Sequence, residues 1–271
     1  MRNQSNQFDK SIYMTEEEKI KLYNLISETR DNQDKWNEVK TVLETVIDLN
    51  TPVDLIYGNT IGKLIIEHAP LEVTEYALKK GGNPNIPNTR YSKTPLFYIS
   101  TLEELVLLHK YKADLNYTNE DGRSYLSDMI YHSPELFYEH LKLGGNFKHA
   151  RSVLFEFCTY HLNALKENRC LELIELMSKN GLNINDYSSA GITALHYATI
   201  TLSYQIIELL IKLGADINQK TLNEFEFQEE FIFPKGSSAK DLVLTIGTFK
   251  DSYDPELILN YEKAKSIVLN A

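Results

Sequence analysis

The chain has 271 residues, of which 42% are hydrophobic and 24% charged, a composition typical of a folded protein and long enough for one large domain, two small ones or a repeat array. The 28 Lys and Arg against 38 Asp and Glu give a formal net charge of −10, which disfavours nucleic acid and anionic membranes as partners and favours a basic protein. No apolar run is long enough to cross a bilayer, and Cys158 and Cys170 lack the spacing of a zinc site or a disulfide framework.

We expect residues 1–12 to be disordered. The N-terminal segment lacks the apolar stretch of a signal peptide, which fits a cytoplasmic chain, although secretion without a cleaved signal would leave the same sequence. Thr15 and Glu18 have the spacing of a capping box, in which each side chain accepts the other residue's backbone N–H. A second helix should have one apolar face, formed by Trp36, Val39, Leu43 and Val46. These patterns predict an N-terminal helical cap over 13–54.

Five segments farther along share one ending, in which an apolar helical pattern runs into a turn followed by Asn or Asp. The first turn positions are Gly81, Lys112, Gly144, Gly181 and Gly214, separated by 31, 32, 37 and 33 residues. Glycine suits the end of a helix because it adopts a positive φ at little cost. This regular spacing predicts a repeat architecture.

A second block recurs upstream of each ending, where Thr or Ser precedes a short apolar stretch. The blocks are NTIGKL, KTPLFY, GRSYLS, RSVLFE and GITALH, beginning at Asn59, Lys93, Gly122, Arg151 and Gly191. A hydroxyl side chain before an apolar stretch indicates a capped helix start. One unit is therefore turn, helix, short loop, helix and turn.

The most regular unit, SSAGITALHYATITLSYQIIELLIKLGADIN within 188–218, resembles an ankyrin repeat. It carries the G-x-T-x-L-H-x-A block and the G-A-D-x-N ending at the family spacing. The other copies are degenerate, and Gly62 stands where the family usually has leucine. The resemblance covers roughly 55–250 and implies an all-α ankyrin-repeat solenoid, with about five repeats over 55–219 and a C-terminal capping repeat over 237–271.

His196, the histidine in this block, has either a catalytic or a structural role. By resemblance, Thr193 and His196 bond to backbone and turn groups within and between repeats, which suits the one donor and one acceptor of a neutral imidazole. His132 and His140 lack the helical spacing of paired zinc ligands, and the chain has no GxxxxGK[ST], GxGxxG or GxSxG motif. We therefore expect no catalytic residue, no metal site and no cofactor.

The resemblance implies binding of another protein through the turn tips and inner helices, which line a groove. Alignment places the exposed groove positions on either side of the hydroxyl cap and at the end of the inner helix. The candidates are Arg90, Tyr91, Lys93, Glu120, Arg123, Ser189, Ala190, Ile192, Ile200 and Thr201.

The segment 220–236 is predicted to be an inserted finger loop, because the next repeat should begin sooner. Its residues 222–236, LNEFEFQEEFIFPKG, alternate Glu and Phe and predict a hairpin around Gln228–Glu230 with one aromatic and one acidic face. The phenylalanines either anchor a partner or fold back onto the last repeat, and both alternatives stay open. The candidate binding residues are Phe225, Glu226, Phe227, Glu229, Glu230 and Phe231.

These features predict a non-enzymatic adaptor or inhibitor, monomeric when alone. The abundance of Lys, Asn and Ile is typical of an AT-rich bacterial or viral genome. Two roles remain open: a cytosolic antagonist, such as an immunity protein that neutralises a toxin or another enzyme, and a secreted effector that binds a host protein. The acidic finger and the net charge favour the antagonist.

Overall fold

The computed structural model describes residues 15–29, 35–45, 48–53, 57–161, 167–227, 231–252 and 254–271. The expectations for residues 1–12, Val46 and 228–230 lie outside these ranges. Within them the regular secondary structure is helical apart from one two-stranded sheet and two isolated bridges at turns. No helix in the described ranges is both long and apolar enough to span a membrane. The chain divides into two compact units, Met1–Glu120 with Ser124–Gly145 and Asp121–Arg123 with Asn146–Ala271.

The first unit consists of helices packed in pairs. They are α1 (Glu16–Thr29), α2 (Trp36–Thr45), α3 (Ile61–His68), α4 (Leu71–Lys79), α5 (Leu102–Lys110), α6 (Tyr125–His132) and α7 (Pro134–Lys142). Helix α3 packs on α4 and α6 packs on α7, while α1 and α2 pack against α3 and α4. The two N-terminal helices therefore share a core with the helix pair that follows them.

The N-terminal helices form as their sequence predicts. Thr15 N–H donates to the Glu18 carboxylate at 2.8 Å and Glu18 N–H donates to Thr15 Oγ1 at 3.3 Å, which confirms the capping box. Trp36, Val39 and Leu43 are buried together, as expected for one helical face. The Lys80 ammonium donates to the Leu43 carbonyl oxygen at 2.7 Å, which satisfies the end of α2 from the neighbouring helix pair.

Gly62 lies in close contact with the segment that precedes the repeats. Its N–H donates to the Leu49 carbonyl oxygen at 2.8 Å. A Cβ at Gly62 would lie 3.1 Å from that oxygen and 3.6 Å from the Leu49 Cβ. Leu49 is itself buried. The backbone and side chain of Leu49 therefore occupy space that a leucine at position 62 would need.

The KTPLFY block forms a short 3-10 helix, Pro95–Tyr98, instead of an α-helix. Thr94 precedes it, but its side chain makes no capping hydrogen bond to the helix. Thr101 already begins α5 with a capping box to Glu104. The chain between these two starts is too short for two α-helical turns, which explains the tighter helix.

The second unit repeats the paired-helix arrangement. Its elements are α8 (Val153–His161), α9 (Glu167–Lys179), α10 (Ala194–Ile200), α11 (Tyr204–Lys212), β1 (Phe225–Phe227), β2 (Phe231–Phe233), α12 (Ala239–Ile246), a 3-10 helix (Gly247–Ser252) and α13 (Pro255–Asn270). Helix α10 contacts α8 on one side and α12 on the other, and α11 packs on α13. The hairpin β1–β2 lies in the connection from α11 to α12.

All five turn positions identified from the repeat spacing have a positive φ, from 67° at Lys112 to 105° at Gly144. The Asn that follows a turn bonds to the next turn along the chain. The Asn185 amide donates to the Gly214 carbonyl oxygen at 3.0 Å and accepts the Asp216 N–H at 2.8 Å. Asn85 makes the same pair of bonds to Lys112 and Asp114. One side chain thus joins two successive turns, which stabilises the stacking of neighbouring helix pairs.

Candidate protein-binding surfaces

His196 supports the backbone at two places. Its Nδ1 accepts the Thr193 N–H at 3.0 Å, and its Nε2 lies 3.0 Å from the Gln219 carbonyl oxygen, to which it donates in this tautomer. The ring is 1% exposed, and burial lowers the pKa of His196, more than the bond to Gln219 raises it. A neutral, buried imidazole with both nitrogens occupied has no free position for catalysis.

His140 is a second buried histidine, which lies in the last turn of α7 and was predicted not to bind a metal. Its Nε2 lies 2.8 Å from the Leu115 carbonyl oxygen, and its ring packs against Tyr125. Burial lowers the pKa of His140 as well. Among the residues that the structure describes, no group of three or more His, Cys, Asp or Glu side chains is arranged to hold a metal ion.

The candidate groove positions differ in exposure. Tyr91, Glu120, Arg123 and Ser189 are exposed, and Lys93 is half-buried. Arg123 lies 3.5 Å from the Glu156 carboxylate, so it already forms an exposed ion pair. A partner role for these five residues remains a prediction.

Ile192 and Ile200 were predicted to lie on the binding surface, but both side chains are buried. They are 5% and 6% exposed. The segment after α11 covers the turn before Ile192, because Leu222 N–H donates to the Gly191 carbonyl oxygen at 2.8 Å and the Asn223 amide donates to that of Ala190 at 3.3 Å. Ile200 ends α10, which has neighbouring helices on two sides.

The insertion forms the hairpin that its alternating sequence predicts. The strands pair antiparallel, with Phe225 opposite Phe233, Glu226 opposite Ile232 and Phe227 opposite Phe231. Glu229 and Glu230, two of the candidate binding residues, lie outside the described residues, as does the side chain of Phe231. The face opposite the phenylalanines contains Ile232 beside Glu226, so it is mixed and not wholly acidic.

The described phenylalanines of the hairpin pack inward. Phe233 is buried, and Phe225 stacks on it with ring centroids 5.0 Å apart. Phe227 is half-buried and meets the Tyr197 ring of α10 edge-on at 6.3 Å. Glu226 and Ile232 are exposed. For Phe225 and Phe227 the geometry therefore favours the covering alternative, and the other face of the hairpin is available to a partner.

A cluster of aromatic rings and cations lies at a turn of the first unit. It includes Tyr57, which was not among the predicted binding residues. The rings of Tyr57 and Tyr91 stack with centroids 6.2 Å apart, and Arg90 lies over both. Tyr57 was missed because it belongs to a degenerate repeat. Its position directly before Gly58, which has a φ of 66°, marks it as part of a turn tip.

The stacked helix pairs with hydrogen-bonded turns define a helical-repeat fold. Residues 131–221 match the family model for ankyrin repeats, described as three copies. This part of the chain therefore contains ankyrin repeats. Ankyrin repeats serve as protein-interaction scaffolds, and this is the class of function that the fold indicates.

Two solved structures share the fold. The ankyrin-repeat domain of Bcl-3, described as a unique member of the IkappaB protein family, has a TM-score of 0.52 and 20% identity over 74% of this chain and 88% of that one. The human ASB11 ankyrin-repeat domain has a TM-score of 0.51 and 18% identity over 90% of this chain and 96% of that one. No curated protein sequence matches the chain significantly.

Proposed function

We propose that this chain is a non-enzymatic protein-binding adaptor or inhibitor that acts in the cytoplasm as an antagonist of another protein. The observation that carries the proposal is the hairpin between α11 and α12, which interrupts an otherwise regular repeat. The charge balance favours a toxin or another enzyme as the target. The hairpin would neutralise it by binding, as an immunity protein does. The isolated chain is expected to be monomeric.

The hairpin is anchored on one face and accessible on the other. Phe227 contacts Tyr197 of α10, Phe233 is buried, and Phe225 stacks on Phe233 across the two strands. Ile232 is 64% exposed, the largest exposure among the large apolar side chains in the described part of the chain. Because strand pairing fixes Ile232 directly opposite Glu226, an apolar anchor and a carboxylate lie side by side on a rigid support. Preorganisation of this kind reduces the entropic cost of binding.

The charges on and near the hairpin favour a basic partner. Glu224 and Glu226 are both exposed, and the chain as a whole carries a net charge of −10. Carboxylates around an apolar anchor steer a partner of opposite charge into the encounter and disfavour acidic competitors.

The proposal is tested by affinity capture from cells of the source organism, followed by calorimetry with the purified partner. Wild-type chain should retain a partner that the double variant Ile232→Ser with Glu226→Lys loses. If the partner is an enzyme or a toxin, its activity should fall to zero at equimolar chain. Association should slow as salt rises, because the carboxylates act at long range.

Glu208→Lys provides the matched control, since Glu208 is exposed on α11 and the substitution changes the net charge by the same amount. This variant should bind like wild type. A partner that binds the hairpin variant as tightly as wild type would contradict the proposed surface. A partner found only outside the cell of origin would support the secreted effector instead.

A further inference from the structure

The turn at 88–93 in the first unit holds two cations against aromatic rings. The Arg90 guanidinium carbon lies 4.9 Å from the Tyr57 ring centroid and 5.2 Å from that of Tyr91. The Lys93 ammonium lies 5.4 Å from the Phe97 ring centroid. We call Tyr57, Arg90, Tyr91, Lys93 and Phe97 the tyrosine–arginine tip. Tyr and Arg are the residue types enriched at the energetic centres of protein interfaces.

Buried hydrogen bonds hold the backbone of this tip in place. The Asn88 side-chain oxygen accepts the N–H of Tyr91 at 3.2 Å and that of Lys93 at 3.1 Å, and Asn88 is 3% exposed. Thr89 N–H donates to the Tyr57 carbonyl oxygen at 2.8 Å, which ties the two turns together. A surface fixed in this way loses little conformational entropy when a partner binds.

A neighbouring tyrosine supports the second cation. Tyr117 meets Phe97 edge-on with ring centroids 6.2 Å apart, and its hydroxyl donates to the Ser92 carbonyl oxygen at 2.9 Å. The ring beneath Lys93 is therefore itself held from the side. Tyr91 remains 49% exposed, so an apolar face is still available beside the cations.

Neither Arg90 nor Lys93 forms an ion pair with a carboxylate among the described residues, where their partners are rings. Elsewhere in the same unit cations do find carboxylates, as when Lys110 and Lys79 share Glu75 at 2.8 and 3.4 Å. A guanidinium over aromatic rings still carries N–H donors, and a carboxylate can accept two of them at once.

We propose that the tyrosine–arginine tip binds an acidic segment of a partner protein, with carboxylates on Arg90 and Lys93 and an apolar side chain on the exposed ring of Tyr91. This inference rests on the proposed function only in that the chain binds proteins. The surface, the unit and the sign of the charge all differ from those of the hairpin. Single-stranded nucleic acid also stacks on tyrosine and pairs with arginine, so competition by an oligonucleotide is one outcome of the test.

A random 12-residue peptide library displayed on phage, selected on the immobilised full chain, tests the proposal. Enriched peptides should be rich in Asp and Glu beside an aromatic or aliphatic residue. Synthetic copies, followed by fluorescence polarisation, should bind the double variant Arg90→Ala with Lys93→Ala about tenfold more weakly or worse. The variant Arg90→Glu with Lys93→Glu should no longer bind them.

The double variant Lys148→Ala with Lys179→Ala is the matched control, because both lysines are exposed, lie in the other unit and change the net charge equally. It should bind the peptides like wild type. Circular dichroism should show that the Arg90 and Lys93 variants keep their helical content.

Four outcomes would overturn the inference: no enriched peptide, enrichment of basic peptides, acidic peptides that bind the Arg90 variant as tightly as wild type, or displacement of the peptides by a 12-nucleotide oligothymidylate. The variant Ile232→Ser with Glu226→Lys should keep peptide binding. If the chain selects no acidic peptides but still captures a protein partner through the hairpin, the tip proposal is refuted and the hairpin proposal stands. If the chain captures no protein partner and selects no peptide, both proposals are refuted.

Discussion

His196 on α10 joins the start of its own helix to the following turn, because its ring lies 3.0 Å from the backbone nitrogen of Thr193 and 3.0 Å from the carbonyl oxygen of Gln219. His196→Ala leaves both backbone groups without their buried partner, so the free energy of unfolding should fall by about 1–3 kcal/mol. Urea denaturation measures this loss. Partner affinity well below the melting temperature should hardly change. A variant that unfolds like wild type but loses binding or an activity would contradict the structural role.

Acidification should destabilise the chain through its two buried histidines. Burial lowers the pKa of His140 and of His196 below the ordinary value of 6.5. Between the folded and unfolded pKa values the unfolded chain binds more protons, so the stability that neutral burial provides is present above pH 6.5 and is lost as the pH falls through the folded-state pKa values. Urea midpoints at about pH 8, 7, 6 and 5 should therefore decline on the acidic side.

The control for this pH dependence is the double variant His140→Gln with His196→Gln, whose midpoint should vary less over the same range. Asp241 titrates elsewhere, because hydrogen bonds from Ser238 lower its pKa to about 2 and its contribution is lost only in stronger acid. An unchanged slope in the double variant would show that other groups cause the effect.

Gly144 and Gly145 should respond differently to alanine. Gly144 has a φ of 105° and a Cβ there would meet nothing within 4 Å, so Gly144→Ala should cost only the left-handed backbone, about 1–2 kcal/mol. A Cβ at Gly145 would collide with the His140 ring, so Gly145→Ala must displace that ring from Leu115 and should cost about 3 kcal/mol. Guanidinium denaturation of the two variants side by side decides this, and equal losses would refute the steric explanation.

The hairpin phenylalanines should contribute to stability. Phe227→Ser removes the edge-on contact with Tyr197 and should lower the free energy of unfolding by about 1–2 kcal/mol. Glu226→Lys, on the exposed face, should change it by less than about 0.5 kcal/mol. Thermal and urea denaturation provide the comparison. The reverse pattern, with a stable Phe227 variant that loses its partner, would return the phenylalanines to the binding surface.

Repeat spacing predicted the turns well because each turn needs a positive φ at the same position, even where the residue is not glycine. Lys112 was identified by position alone, and its φ of 67° matches the turn conformation of the glycines. The hairpin was predictable for a similar reason, since alternation of Glu and Phe has the period of a strand.

Side-chain burial was less predictable, because it depends on which distant segment covers a position. Ile192 occupies a family surface position, but the residues after α11 cover its turn. The stacking of Arg90 on Tyr57 joins two turns, one of them in a degenerate repeat, and nothing in the local pattern of either turn indicates it. A family pattern predicts which backbone segments lie near the surface. Contacts with distant segments determine which of their side chains are exposed.

The contact between Leu49 and Gly62 couples two positions in the evolution of the chain. Gly62→Leu restores the family residue but would clash with the Leu49 backbone and side chain, so alone it should be selected against. A smaller residue at 49 alone would leave a cavity beside a glycine. The Gly82 Cα would lie 3.3 Å from a Cβ at position 62, so a larger residue there would have to displace the backbone on two sides. The residues accepted at position 62 therefore depend on Leu49 and Gly82 as well as on the helix that contains it.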